Sequence, residues 1–354
     1  MKEYVVAILG ATGAVGQRLV KELAQANIPI KQVKLLASKR SVGKKLKFKN
    51  QEIEVEQAQP DSFTGVDIVL SSAGGAISKK LLPEAVKRGA VCVDNTSAFR
   101  MAENVPLVIP GVNDQQLAQH QGIIANPNCS TIQMVAALYP LHRRWGIKQI
   151  VVSTYQAVSG AGKKAWDEML GQAQARLDNQ QVAAAILPTP AAKKHYPLAF
   201  NLLPQIDIFE ADGYTHEEWK MIHETKKILF NDQDSNQIKV TATCVRVPVE
   251  IGHGEAVYFI LQDKQVTVKE IQAEIQKTAG LILQDDFKKQ LYPQPLQIAG
   301  KRETFVGRIR ADQENLGAFH MWVVADNLLR GAATNTVEIA ECLVRKNLVR
   351  VPNI

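Results

Sequence analysis

The sequence predicts an α/β protein of two domains, a doubly wound parallel sheet over residues 1–127 and an α+β domain over residues 128–329. Three observations lead there. Through the first third, short apolar runs alternate with amphipathic stretches of helical period. A glycine-rich turn joins the first run to the first amphipathic stretch. After Cys129 the runs lengthen and alternate apolar with polar residues, the pattern of a largely antiparallel sheet covered on one face. A chain of 354 residues is long enough for about two such cores.

Taken in order, "YVVAIL" (Tyr4 to Leu9) is the first strand, and "AVGQRLVKELAQA" sets Val15, Leu19, Leu23 and Ala26 on one helical face. Strands follow at "VKLLAS", "DIVLSSAGG", "AVCVDNTSAF" and "GIIANP", with a helix around "SKKLLPEAVKRG". A helix from about 130 to 145 opens the second domain and leads to the strand "KQIVVSTYQAVSGAG". Beyond it lie "QIKVTATCVRVPVEIG", "GEAVYFILQ", "KRETFVGRIRAD" and "AFHMWVVADN", all read as strands. The tail "AATNTVEIAECLVRKNLV" is helical, with Val337, Ala340, Leu343 and Val344 on one side.

Composition excludes several classes. With 46% hydrophobic and 22% charged residues and no biased tract, the chain is neither disordered nor fibrous. No apolar run reaches the roughly 18 residues of a membrane span. The opening "MKEYVVAILGATG" enters a glycine turn where a signal peptide would continue its apolar core, so a cytoplasmic location is expected. The 4 cysteines, Cys92, Cys129, Cys244 and Cys342, form no C-x-x-C pair, and neither a metal site nor a disulfide framework is expected. The net charge of +7 is mostly dispersed among acidic residues and does not signal nucleic acid. Its one cluster, Ser38 to Lys49, reads as an exposed basic loop suited to a small phosphorylated ligand.

Four motifs carry chemistry. In "LGATGAVGQ", Gly10 suits the tight bend, Gly13 close backbone approach to a pyrophosphate, and Gly16 the packing of helix on strand, which is the turn of a Rossmann-type sheet. At the end of the second strand "ASKRSVG" offers Ser38, Lys39, Arg40 and Ser41 where an NAD site would place an acid, so NADP is the expected cofactor. In "NPNCSTIQ" a cysteine meets the start of a helix, whose unpaired N–H groups favour a thiolate; burial as a small apolar side chain is the alternative. In "RVPVEIGHGE" His253 stands between glycines. Arg246 shares a strand face with Val240, Ala242 and Cys244, and needs either a planar substrate carboxylate or an internal ion pair. "YTHEEWKMIHETKKIL" opens on a capping box, Thr215 with Glu218, so a helix is expected from about 216, and its Glu217 and Lys220 read by spacing alone as a solvated pair.

Together with "DNTSAFR", "VIPGVN", "STYQAVSGAG" and "DNLLRGAATN", these motifs run in the order found in the aspartate-semialdehyde dehydrogenase family, which the chain resembles over nearly its whole length. The resemblance implies a catalytic domain like that of glyceraldehyde-3-phosphate dehydrogenase, with a C-terminal helix within 330–354 packing back on the NADP-binding domain. A homodimer would be the minimal unit, pairing into tetramers being left open. The segment "LDNQQVAAAILPTPAAKKHYPLAFN" is expected at the subunit interface. Carried over residue by residue, the resemblance implies Cys129 as nucleophile, His253 as acid/base and Gln156 as the residue orienting substrate. It implies Arg246 for the substrate carboxylate, Glu217 for its amino group, and Arg100, Lys220 and Asn128 for phosphate. NADP would meet Gly10, Thr12, Gly13, Val15, Gly16, Ser38, Arg40, Ser41, Gly75, Ser159, Gly160 and Asn327. The implied reaction is reductive dephosphorylation of L-4-aspartyl phosphate through a cysteine thioester, in synthesis of lysine, diaminopimelate, threonine, methionine and isoleucine. Its partners are a small-molecule substrate and inorganic phosphate, with no nucleic acid and no membrane. An N-acetyl-glutamyl-phosphate reductase, or a silent NADP-sensing protein of the same fold, is the competing reading.

Overall fold

The structure, a computed structural model, describes residues 2–230 and 238–352. The chain divides into two compact units, Met1–Asn128 with Ala332–Ile354, and Cys129–Gly331. Among the described residues no helix is long and apolar enough to cross a membrane.

The first unit is built from β1 (Tyr4–Leu9), α1 (Ala14–Gln25), β2 (Ile30–Ala37), β3 (Lys45–Phe48), β4 (Gln51–Gln57), β5 (Ile68–Ser71), α2 (Gly75–Lys87), β6 (Val91–Asp94) and β7 (Ile123–Ala125). They form a seven-stranded sheet in the order β3-β4-β2-β1-β5-β6-β7. All neighbours are parallel except the β3–β4 hairpin. Parallel strands are buried on both faces, and the side chains divide accordingly. Val6 and Ile8 face one core, shared with Leu19 and Leu23 of α1 and with Val337, Ile339, Ala340 and Leu343 of the C-terminal helix Asn335–Arg345. Ala7 and Leu9 face the other, shared with Leu81, Leu82 and Ala85 of α2. The expected apolar stripe of the tail is thus the stripe that is buried, although a π-turn over Leu329–Thr334 precedes the helix proper. Residues 353 and 354 of that segment lie outside the described residues.

Two elements differ from expectation here, the strands β3 and β4 of the hairpin. Part of the basic stretch is strand β3: Lys45 and Lys47 are exposed while Phe48 is buried against the core. Its lysines occupy the outward positions of an edge strand, where they also blunt edge-to-edge pairing, and so mask the period-two signal.

The second unit holds α3 (Cys129–Trp145), β8 (Ile147–Ala157), α4 (Lys163–Leu177), α5 (His216–Phe230), β9 (Lys239–Val247), β10 (His253–Leu261), α6 (Val268–Lys277), β11 (Leu281–Leu283), α7 (Pro295–Ile298), β12 (Thr304–Ala311) and β13 (Ala318–Ala325). Its six strands run β11-β12-β13-β10-β8-β9. The centre is antiparallel as expected, but β8–β9 and β11–β12 are parallel, so the sheet is mixed. Helices α3, α5 and α6 pack against the sheet. The strand expected from Gln237 onward stops at Val247, because Pro248 has no N–H to extend the ladder; Gln237 itself lies outside the described residues.

Two glycines show opposite demands. A Cβ on Gly16 would sit 2.1 Å from the Gly10 carbonyl oxygen, so α1 lies directly on the turn it follows, whereas Gly171 in α4 faces open space. Gly16→Ala should therefore cost about 1–3 kcal/mol through overpacking. Gly171→Ala should stabilise by up to about 1 kcal/mol through helix propensity. Thermal denaturation of the two variants checks both signs.

Candidate active site

The alternation of β9 buries Ala242, Cys244 and Arg246 on one face. Register then decides which residues meet. Gln156 of β8 lies beside Arg246, and Gly254 of β10 beside Tyr155, so one step along the same register brings His253 beside Gln156. His253, Gln156 and Arg246 form one cross-strand row, each at most 5% exposed. Cys129, the first residue of α3, reaches this row: its Sγ lies 3.2 Å from His253 Nε2. A Cβ on Gly331 would come 2.7 Å from Cys129 Cβ, so the helix start is seated tightly against backbone.

The orientation of His253 follows from one hydrogen bond. The Ala157 N–H donates to His253 Nδ1 at 2.9 Å, which leaves the single proton of a neutral ring on Nε2, facing the sulfur. Burial, with Arg246 adding repulsion and Glu217 opposing it, pushes the His253 pKa down to about 3. The carbonyl of the same Ala157 accepts from Arg246 Nη1 at 2.8 Å. Arg246 Nε is buried with no partner among the described residues, a donor turned inward and awaiting an acceptor. Burial works against the Arg246 charge and Glu217 is the leading group that supports it.

Gln156 is locked at both ends: Thr154 Oγ1 donates to its Oε1 at 3.0 Å, and its Nε2 donates to Glu217 Oε1 at 3.0 Å. Lys220 Nζ donates to Glu217 Oε2 at 3.2 Å and to Asp207 Oδ2 at 2.8 Å. The pair that spacing assigned to a solvated face is instead directed inward, Glu217 being 5% exposed. Helix α5 is capped as expected, with Glu218 accepting from the Thr215 N–H and, through its other oxygen, from the Cys244 N–H. Gly160 stands behind the row, where a Cβ would lie 3.0 Å from Arg246 Nη1. Ser159 and Asn327 are hydrogen-bonded to each other, and Asn327 Oδ1 also accepts from the Gly252 N–H.

The remaining candidates belong to the first unit. Gly10 adopts φ +87°, a conformation open to glycine, with its missing Cβ facing the Ala73 backbone. Gly13 is the N-cap of α1 and supplies no side-chain cap, so the first-turn N–H groups of a helix that includes Val15 stay available. Thr12 Oγ1 and Ser41 Oγ are 3.1 Å apart, which draws the turn after β2 to the glycine turn, while Ser38 and Arg40 are exposed beside it. Gly75 opens α2 after Gly74 at φ +92°. Arg100 is buried with Nε on Asn126 O at 2.9 Å and Nη2 on Asn95 O at 3.1 Å; Asn128 is buried as well.

The sequence reading lacked three contributors: Thr154, Ala157 and Asp207. Thr154 had a signal in the strand alternation two residues before Gln156. Ala157 acts through its backbone, and Asp207, at φ +71°, lies in irregular chain, so neither had one.

A thiol at a helix start against a histidine of fixed tautomer, with an arginine and a carboxylate beside it, can form and release an acyl-enzyme on an amino-acid substrate. Comparison with known proteins agrees in class. Residues 5–120 match the family described as semialdehyde dehydrogenase, NAD binding domain, and residues 138–330 the one described as semialdehyde dehydrogenase, dimerisation domain. Fold and site define an oxidoreductase of that class, working with a nicotinamide cofactor. The chain is 54% identical to the aspartate-semialdehyde dehydrogenase of Bacillus subtilis over 97% of its own length and 98% of the relative's. It is 47% identical to that of Aquifex aeolicus over 98% and 99%. Aspartate semialdehyde dehydrogenase II of Vibrio cholerae, solved in complex with ASA, superposes with TM-score 0.90 at 42% identity over 98% of this chain and 99% of that one. The enzyme of Candida albicans, solved with NADP, gives 0.73 at 27% identity, covering 98% and 100%. The chain belongs to the aspartate-semialdehyde dehydrogenase family.

The His253 geometry makes a direct expectation. Its ring should stay neutral from pH 8 to pH 5, the window in which an exposed histidine gains its charge, so its side-chain NMR signals should not titrate there. Because the unfolded chain takes up that proton near pH 6.5, its contribution to stability is present above about 6.5 and is lost as pH falls toward 3. Burial shifts His120, His142 and His223 the same way. A His253 signal that titrates near 6.5 would remove the fixed tautomer.

Proposed function

We propose that the chain catalyses the NADP-dependent reductive dephosphorylation of L-4-aspartyl phosphate to L-aspartate 4-semialdehyde, reversibly, through an acyl-thioester on Cys129. The observation that carries this reading is the 3.2 Å approach of Cys129 Sγ to His253 Nε2 at the start of α3. Relatives named for aspartate semialdehyde support the substrate. So does the site, which sets a guanidinium for a carboxylate and Glu217 for an ammonium around one thiol.

The residues present fit a dinucleotide. The uncapped start of α1 and the glycine positions that exclude a Cβ leave backbone N–H groups for a pyrophosphate. Ser38, Arg40 and Ser41 offer donors and positive charge to a 2′-phosphate, and Gly75, Ser159, Gly160 and Asn327 complete the proposed set. When bound, the cofactor supplies the hydride that reduces the thioester carbonyl.

The chain's own residues account for the other steps. The Cys129 thiolate, favoured by the helix start and by the Nε2–H of His253, attacks the acyl carbon; the C–S bond forms and the C–O bond to phosphate breaks. Arg100, Lys220 and Asn128 receive the departing phosphate. Arg246 takes the α-carboxylate in the bidentate geometry that its planar group provides, and Glu217 the α-ammonium, so the carbonyl is held against the sulfur. Gln156, fixed by Thr154 and Glu217, orients the acyl group. Backbone N–H groups of the first turn of α3 stabilise the tetrahedral oxyanion. When the tetrahedral oxyanion collapses, the aldehyde carbonyl forms, the C–S bond breaks, and the Nε2–H of His253 steadies the departing Cys129 thiolate. A homodimer is the proposed assembly, its interface including the segment from Leu177 to Asn201, where Leu177, Tyr196 and Phe200 are exposed. The site serves the synthesis of lysine, diaminopimelate, threonine, methionine and isoleucine.

Cys129→Ala should abolish turnover while NADP still binds, and mass spectrometry of the unaltered protein with aspartyl phosphate and no reductant should find an acyl adduct on Cys129. Burial holds Cys92 and Cys244 as protonated thiols and also pushes Cys342 up, so an adduct on any of these would refute the assignment.

Arg40→Ala should weaken NADP roughly tenfold or more, a charge-assisted bond being worth about 1.5–3 kcal/mol, and leave NAD nearly unaffected. Titration of both cofactors decides, and equal losses would make Arg40 a structural residue only.

A further inference from the structure

Beneath the row of His253, Gln156 and Arg246 lies a second cross-strand row, set by the same register: Val323, Glu255, Thr154 and Cys244. Glu255 is 0% exposed, and among the described residues neither of its carboxyl oxygens has a hydrogen-bond partner. Its polar neighbour is Gln133, one helical turn along α3 from Cys129 and also 0% exposed. The Gln133 Nε2 is directed at backbone, to His253 O at 3.2 Å and Val323 O at 3.5 Å, while its Oε1 has no donor. An ionised Glu255 would thus set its two oxygens near the Gln133 Oε1 in a dry space, with the Gln133 amide held on backbone and only the weak donor of the Cys244 thiol left to meet them. Buried acceptors in that state are costly, and a single added proton resolves it.

We propose that Glu255 is a neutral carboxylic acid whose O–H donates to Gln133 Oε1, and that this bond is the positioning device that holds the Gln133 amide on the His253 carbonyl behind the Cys129 thiol. The inference rests on the proposed Cys129–His253 chemistry for its effect on turnover, but not for the protonation itself. The surroundings agree from every side. From β9 the Cys244 thiol, from β8 the Thr154 hydroxyl and from β13 the Val323 side chain face the same space, and across it the carboxylates of Glu217 and Glu218 on α5 act on Cys244 together with Glu255. Burial pushes the Glu255 carboxyl well above the usual range, with only Gln133 opposing it and no cation contributing.

Two substitutions separate positioning from folding. Glu255→Leu removes the donor and leaves Gln133 Oε1 unpaired; kcat should fall roughly tenfold or more, as for a misplaced proton-transfer group, with KM for the aldehyde little changed because Arg246 and Glu217 are untouched. Glu255→Gln replaces the O–H by an N–H donor and should recover most of that loss. The second measurement needs no turnover. In the unfolded chain the carboxyl ionises near 4.3, whereas the folded one keeps its proton. That contribution is fully present below about 4.3 and is lost as pH rises, so the stability of Glu255→Gln relative to the unaltered protein should climb steadily from about pH 5 upward. A gap that does not change with pH would show an ionised Glu255 and overturn the proposal, as would an inactive but folded Glu255→Gln, or a Glu255→Leu with unaltered kcat. If Glu255→Leu does not fold, the pH dependence of Glu255→Gln decides alone. Turnover retained by Cys129→Ala, measured in parallel, would strike down the thioester reading and leave the pH-dependent gap to judge Glu255 by itself.

Discussion

The backbone of one residue sets the geometry of the second unit's site. Ala157, at the end of β8, donates its N–H to His253 Nδ1 and offers its carbonyl to Arg246 Nη1, so a single backbone residue fixes the tautomer of one side chain and the approach of the other. It can do so because β8 lies between β10 and β9, antiparallel to the first and parallel to the second. The mixed order that departs from a simple antiparallel sheet is thus what lets β9 deliver Arg246 and β10 deliver His253 to the same end of β8. A fixed tautomer also separates two forms of cysteine activation. An imidazolium would favour a thiolate by charge, but the Ala157 N–H leaves no room for a second ring proton, so His253 offers the Cys129 sulfur one Nε2–H and no charge.

The charges around Ala157, buried or nearly so except at the partly exposed Asp207, form an alternating chain rather than isolated ions. Asp207 binds Lys220, Lys220 binds Glu217, and Glu217 supports Arg246 by charge while accepting from Gln156. Desolvation makes such an arrangement poor value for stability alone, since apolar side chains of equal volume fill the same space at no electrostatic cost. Its use is orientation. At its end Arg246 keeps its Nε without a partner among the described residues. Holding Asp207 at φ +71° to complete the chain adds backbone strain of the sort that concentrates at functional sites.

Much of this was legible in the sequence where local pattern and function coincide. The glycine turn, the strand–helix alternation of the first unit and the capped start of α5 follow from rules that act over a few residues, and each lies where the pattern put it. Cys129 at a helix start and Arg246 on an apolar strand face were visible for the same reason. The failures share a cause too. Strand β3 was hidden because its lysines occupy the outward positions, and the parallel pairing of β8 with β9 is a property of register between distant segments. Spacing assigned Glu217 and Lys220 to solvent because an i,i+3 pair carries no information about what the helix packs on. Only the resemblance to a family gave that pair a direction.

Glu255 shows how far such reasoning extends once register is known. In the strand pattern of "HGEAVYFIL" it falls on the same face as His253, the face that α3 covers, and a carboxylate there contradicts the rule that buried charges are paired. The contradiction disappears only if the group is not charged, and the orphan oxygen of Gln133 supplies the place for its proton. The two rows then have opposite logic. In the first, the one charge, on Arg246, is retained because Glu217 supports it; in the second, by the proposal, charge is given up because no cation is near, and the hydrogen bond that remains ties the helix bearing Cys129 to the strand bearing His253.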